Sequence, residues 1–240
     1  MRPRQGFSGT ALQVMAVLSM TGDHIGAVMM RDGQIAWATV LRDMPALFAL
    51  RAIGRAAFPI FAFLLAQGMV HTRSRKRFIL RLAVFALLSE LPFDLAFYGV
   101  GFYPHHQNIF FTLCLGAVCI ALLDYGGRAF GVFAAMGMAL IAQLLYTDYA
   151  ALGVLTVLMF WLLAQKGRLG VVVVLLLFAG SFLIYDQWVN LFCLLSLPLL
   201  LCYNGTRGGP AGLVGKSIRK WGFYFYYPLH LLVLSALAGR

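Results

Sequence analysis

Residues 11–30 read "ALQVMAVLSMTGDHIGAVMM", an apolar run with an acid and a histidine set side by side toward its far end. A helix needs about 20 mostly apolar residues to cross the hydrocarbon core, and this run is that long. Asp23 and His24 lie about thirteen residues into it, roughly 20 Å at 1.5 Å per residue. That depth is the outer half of a membrane. A charged side chain at the bilayer centre costs about 2.5–3.5 kcal/mol on insertion scales, so such residues face a polar interior and mark function.

The rest of the chain repeats the signal. Of 240 residues, 62% are hydrophobic and 11% charged, with a mean hydropathy of +0.85. A soluble domain carries roughly 25% charged and about 45–50% apolar residues. The pattern predicts an all-α fold, a polytopic integral membrane helical bundle forming a single domain over 1–240. About nine spans, with eight to ten as the range, fall near 11–30, 47–70, 78–98, 108–123, 129–146, 150–165, 169–185, 189–203 and 221–238. The opening "MRPRQGFSGTALQVMAVLSM" mimics a signal peptide, but no small-x-small cleavage site with a soluble domain follows, so a retained first span is expected.

The formal charge of +11 invites a nucleic-acid reading, yet no basic soluble domain is present to carry one. The charge instead orients the bundle. With the N-terminus cytoplasmic, the inner segments hold Arg2, Arg4, Arg73, Arg75, Lys76, Arg77, Arg128, Lys166, Arg168, Arg207, Lys216, Arg219 and Lys220, while the outer ones hold Arg31, Arg42 and Arg240. The four cysteines lie in or beside apolar runs with no CxxC and read as packing residues, not disulfides.

More polar residues join Asp23 and His24 at the outer level. Arg51 and Arg55 sit one turn apart in the second span, and Glu90 and Asp94 repeat that spacing in the third around Pro92. His105, His106, Gln107 and Asn108 lead into the fourth span, and His230 stands near the middle of the last. One reading is a buried ion-pair network in which Glu90 or Asp23 neutralises Arg55. The other is general-base catalysis, where a carboxylate orients a neutral imidazole and stabilises its protonated form. Neighbours on a helix diverge by about 100°, so a carboxylate other than Asp23 can be the partner of His24.

On the inner face, "HTRSRKR" at 71–77 reads either as topogenic charge or as a site for a phosphorylated cytoplasmic donor, with Arg73, Arg75, Lys76, Arg77, Arg81, Lys216, Arg219 and Lys220 contributing. The aromatic run "WGFYFYYPLHLL" at 221–232 reads as interface belt and packing, except for its deep histidine. No i, i+4 histidine pair or HExxH supports a metal site from His24, His106 and His230, so no metal is expected.

Five stretches together carry a family resemblance: "ALQVMAVLSMTGDHIGAV", "RAIGRAAFPIFAFLLAQG", "HTRSRKRFILRLAVFALLSELPFDLAFYG", "HQNIFFTLCLG" and "FYYPLHLLVL". The sequence resembles the TraX family of conjugation proteins, the pilin N-acetylases and TrbP-like conjugal transfer membrane proteins, over residues 11–116 and 221–234. The resemblance implies a multi-pass protein of the bacterial inner membrane within the wider transmembrane acyltransferase superfamily. It implies acetyl-CoA as donor substrate, a pilin subunit or other membrane or periplasmic acceptor, and contact with membrane lipid. A first-span histidine assisting transfer falls on His24. The "GR-x-AFP-x-F" motif falls on Gly54, Arg55, Ala57, Phe58, Pro59 and Phe61, the fourth-span asparagine on Asn108 and the late histidine on His230. In related sequences a basic residue often lies eleven positions before the first-span histidine; here Gln13 stands there.

The leading expectation is acyl transfer with His24 and Asp23 catalytic, and Arg51, Arg55, Glu90, Asp94, Asn108 and His230 positioning substrate, Arg55 and Asn108 also stabilising the oxyanion. A transferase using a lipid-derived or phosphorylated donor such as glycerol-phosphate is the alternative, with the Arg51/Arg55 pair as its anchor. A small-solute transporter also concentrates intramembrane charge, but it predicts broken helices and two related halves.

Overall fold

The computed structural model describes residues 6–30, 37–184, 187–209 and 212–240. Helix caps and breaks account for most of the element boundaries. Helix α1 (Gly9–Met30) starts where Ser8 Oγ accepts from the Ala11 amide at 3.2 Å, an N-cap that satisfies one orphan donor. A short α2 (Trp37–Asp43) precedes α3 (Pro45–Gly54), whose first-turn proline has no amide to lose. Helix α4 (Ala57–His71) follows after a turn at Arg55 and Ala56.

Helix α5 (Arg75–Tyr98) is capped by Ser74 and ends on Gly99, whose φ of 70° is the left-handed conformation a C-terminal cap requires. Helix α6 (Ile109–Leu144) is capped by Asn108 and broken at Gly127, where φ 74° and ψ −173° leave the helical region. An unbroken run of that length would reach about 54 Å, well beyond a hydrocarbon core of about 30 Å, so the glycine divides it into two limbs of bilayer length. Then come α7 (Ala150–Leu163), a 3-10 turn (Ala164–Lys166), α8 (Arg168–Ile184), a 3-10 segment (Trp188–Leu195), α9 (Ser196–Leu201) and α10 (Gly212–Leu237).

The described residues contain α-helices, 3-10 turns and no strand beyond two isolated bridges, an all-helical bundle of the kind that crosses membranes. Pro45–His71 and Ile109–Gly127 are long and apolar enough to span one, and shorter apolar helices run between 129 and 201. Each of the nine apolar segments expected from the sequence is helical, with differences at the ends. The second is two helices, α10 begins at Gly212 and not near 221, and the eighth opens as a 3-10 segment.

Helix α1 packs on α3, α4 and α10; α5 lies between α6 and α10; α7 leans on α4, α6 and α8. Tyr227, Phe110, Phe160 and Phe178 fill the interior, while Leu87, Phe133 and Leu169 lie on the outside of the bundle more than two-thirds exposed. Long-range polar contacts sort the loops into two faces. At one, Phe7 pairs with Tyr203 and Arg75 with Asp124; at the other, Gln107 pairs with Thr147 and the Arg240 guanidinium caps the Ala96 and Phe97 carbonyls at the end of α5. The charge count of the sequence would put the first set on one side of a membrane and the second on the other.

Candidate functional site

Asp23 and His24 leave α1 in different directions, as a 100° step demands. Asp23 faces α3 and α4. Both of its oxygens receive the Arg55 guanidinium, and Oδ2 lies 2.8 Å from Nη1 of Arg51. Arg51 is 4% exposed and lies over the Trp37 ring at 5.6 Å; Arg55 reaches on to Asn190 Oδ1 at 3.2 Å. A buried carboxylate shared by two guanidiniums offsets part of the desolvation cost of all three groups, which for any one alone would be several kcal/mol. The ion-pair reading of the sequence therefore holds for Asp23, Arg51 and Arg55, with Asp23 and not Glu90 as the acid.

Glycine makes this contact geometrically possible. A Cβ on Gly54 would fall 2.3 Å from the Asp23 Cβ, and one on Gly26 would fall 2.8 Å from the Arg51 Cγ. Only a bare backbone lets α3 come this near α1. The turn after Gly54, where the Ile53 carbonyl accepts from Ser19 Oγ at 2.7 Å, then swings Arg55 onto the acid.

His24 faces α10 instead. Its Nδ1 lies 2.7 Å from Nε2 of His230, with the ring planes 8° apart, and Phe97 and Tyr227 present edges to it at 5.4 and 5.9 Å. His230 Nδ1 lies 3.0 Å from the Tyr226 carbonyl, one turn back on α10. A carbonyl only accepts, so His230 Nδ1 carries a proton there. In its neutral form His230 Nε2 is then an acceptor, and His24 Nδ1 donates to it. This polarity leaves His24 Nε2 as an unprotonated lone pair. The tautomer follows from the hydrogen bonds, which is how tautomers are assigned. Tyr226 also stacks on His230 at 5.0 Å, and its hydroxyl lies 2.7 Å from Thr21 Oγ1, whose own proton goes to the Val17 carbonyl.

The third expected group separates from these two. Glu90 Oε2 accepts from the Asn108 backbone amide and from its Nδ2, and Nδ2 also donates to the Ala86 carbonyl at 2.8 Å. Both amide protons of Asn108 are thereby used, while its Oδ1 caps α6 at Phe110. Asn108 accordingly locks α5 to α6 and has no donor left for an oxyanion, contrary to the sequence expectation. Asp94 Oδ2 accepts from the Tyr103 amide and holds the loop after α5. Neither Glu90 nor Asp94 is bonded to His24 or to the two arginines, so the outer-level convergence resolves into distinct clusters.

Toward the basic face lies a cavity of about 660 Å³. Its lining grades with exposure: His71, Arg73, Arg77 and Arg207 are exposed, Arg81, Gln13, Gln67, Tyr203 and Phe223 half-buried, and Phe61, Leu65 and Leu113 buried. Arg77 and Arg81 are four apart on α5 and share a face. Arg75, two residues from Arg77, points about 200° away and pairs with Asp124; Lys76 is exposed outside the cavity. Neither of these two expected donor-site residues lines the cavity. The side chains of Lys216, Arg219 and Lys220 lie outside the described residues. Sequence reasoning missed Asn190, which looks like an ordinary polar residue at a span edge, and gave Arg207 only a topogenic role. Trp221, Tyr224 and Phe225 pack on Phe85, as the packing reading of that run expects.

The fold and site define a helical membrane bundle with a tautomerically fixed histidine pair in its interior and a basic cavity opening on one face. The chain belongs to the TraX family: the family's model, described as "TraX protein", matches residues 8–238. It is also similar to the probable fimbrial assembly protein FimC, serogroup H1, of Dichelobacter nodosus, at 24% identity over 255 aligned residues that cover 96% of this chain and 95% of that one. No solved structure matches the chain.

Proposed function

We propose that this protein is a multi-pass acyltransferase of the bacterial inner membrane that moves an acetyl group from acetyl-CoA to a pilin subunit or a similar membrane or periplasmic acceptor. The observation that carries the proposal is the polarity of the Tyr226–His230–His24 chain, which leaves Nε2 of His24 free to take a proton. Membership in the TraX family and the fimbrial-assembly name of the Dichelobacter relative support a pilin-related acceptor.

In this reading His24 Nε2 removes the proton of the acceptor amine or hydroxyl as that atom attacks the thioester carbonyl. A new C–N or C–O bond forms and the C–S bond breaks. The proton held at Nε2 passes to the departing sulfur, and a free thiol results. His230 keeps His24 in the working tautomer and accepts from its Nδ1 while the ring is charged. Asp23, Arg51 and Arg55 fix the α1–α3 geometry beneath that ring.

The cavity fits the donor by its grading. Exposed cations suit phosphates, half-buried uncharged polar groups suit a pantetheine arm, and buried apolar side chains complete the lining. From Tyr224, at the cavity wall, α10 rises about 9 Å to His230, within reach of such an arm. A phosphorylated lipid-derived donor would also suit the exposed cations, and the transferred group separates the two. Purified protein in nanodiscs, given acetyl-labelled CoA and acceptor pilin, should label the pilin. Transfer of a phosphorylated group instead reassigns the donor, and no transfer from either donor overturns the proposal.

A further inference from the structure

Two guanidinium sources meet in the basic cavity, and they come from opposite ends of the chain. Arg73, Arg77 and Arg81 belong to α5 and its approach; Arg207 belongs to the segment between α9 and α10. Among the described residues no carboxylate lines the cavity, so the arginines there have no acid beside them in the lining. Gln13 of α1, neutral, lines the same space, three residues on from Thr10.

The segment carrying Arg207 is strapped to the start of α1. The Phe7 amide donates to the Cys202 carbonyl, the Asn204 amide to the Phe7 carbonyl, the Gly9 amide to the Thr206 carbonyl and the Thr10 amide to the Arg207 carbonyl, at 2.8–3.0 Å. Thr10 Oγ1 adds a bond to the Arg207 carbonyl at 2.9 Å, and Asn204 Oδ1 accepts from both the amide and the hydroxyl of Thr206. These bonds have two consequences. They consume the first amides of α1, removing the helix N-terminus as an anion site. They also fix the backbone of Arg207, an exposed residue of the cavity lining, while leaving its guanidinium to meet a ligand.

We propose that Arg207 is a ligand-binding residue that takes a phosphoryl group of the donor, supplying from the strap the positive charge that α1 does not place in this cavity. The inference rests on the reading of the cavity as the donor site. A guanidinium suits a phosphate oxygen pair, which it meets with two parallel N–H···O bonds.

The test measures CoA binding by calorimetry on the full chain in nanodiscs. Arg207→Gln should weaken CoA binding about ten-fold or more, the usual effect of losing hydrogen bonds to a charged group. Its unliganded unfolding temperature should stay at the wild-type value, because the strap is made by the Arg207 backbone. Arg207→Lys should recover part of the affinity. The sharpest arm is Arg207→Gln with Gln13→Arg: a guanidinium restored to the same cavity from α1 should recover binding and steepen its loss with salt. Unchanged affinity in Arg207→Gln, or no recovery in the double variant, overturns the assignment while the donor reading stands. A wild-type protein that fails to bind CoA removes the donor reading itself.

Discussion

In the proposed reaction His24 is the base and His230 its keeper. A base positioned for proton transfer contributes about 10²–10⁴-fold to rate, so His24→Ala should lose most of that factor with the fold intact. His230 separates orientation from bulk. In His230→Gln the amide oxygen falls near the position of Nε2 and can still accept from His24 Nδ1, whereas His230→Leu offers no acceptor. The Gln variant should retain far more acyl transfer than the Leu variant, with both folded by thermal unfolding; equal activity would mean that the imidazole pair is packing alone. Asp23 is readable the same way. Asp23→Asn removes the carboxylate that Arg51 and Arg55 share, and breaking a buried pair costs about 3–5 kcal/mol, so a large fall in unfolding temperature in detergent is expected. The sequence shows Asp23 and His24 diverging by a helix step, and that much was legible. The partner of His24 was not, because it lies 206 residues away and is fixed only by how α1 meets α10.

Among the elements, two glycines shape the bundle in ways that hydropathy does not reveal. At Gly127 a Cβ would meet nothing within 4 Å, so the residue is held there by backbone conformation alone. A non-glycine at its φ and ψ costs on the order of 1–3 kcal/mol, and Gly127→Ala should lower the unfolding temperature without any steric clash. Gly54 is the opposite case, where the space is filled. Gly54→Ala should destabilise through the contact with Asp23, and circular dichroism melting compares the two directly. The spans themselves were legible as apolar runs. The break in α6 was legible as well, since Asp124, the glycines and Arg128 part the spans at 108–123 and 129–146, whereas the turn at Arg55–Ala56 was not, because it does not interrupt the hydropathy. The stripe Arg73, Arg77, Arg81 was partly legible: spacing puts Arg77 and Arg81 on one face, while charge counting had also included Arg75 and Lys76.

At the scale of the whole molecule, the two faces of the bundle carry different chemistry. The cationic cavity opens on one face, the acid–amide cluster of Glu90, Asp94 and Asn108 braces the other, and the histidine pair lies in the bundle interior. The sequence reading expects such a division from lysine and arginine placement, because topogenic charge acts on short loops regardless of how the helices pack. It did not foretell that segments from both ends of the chain close one cavity wall, as residues 6–10 and 202–207 do. Cys202 is the exposed cysteine among the described residues, and its carbonyl accepts from the Phe7 amide where the two segments meet. A membrane-impermeant maleimide should therefore label Cys202 in inside-out vesicles and leave it unmodified in right-side-out ones; the reverse pattern would invert the proposed orientation.

The central claim is that His24, set by His230, transfers an acetyl group to a pilin. The most direct measurement is the intact mass of the candidate pilin co-expressed with the wild-type protein, with His24→Ala and with neither. The account predicts a pilin heavier by one acetyl group with the wild type, and unmodified pilin in the other two while the variant is present in the membrane at normal levels. Full acetylation alongside His24→Ala, or no mass difference between wild type and none, would contradict it.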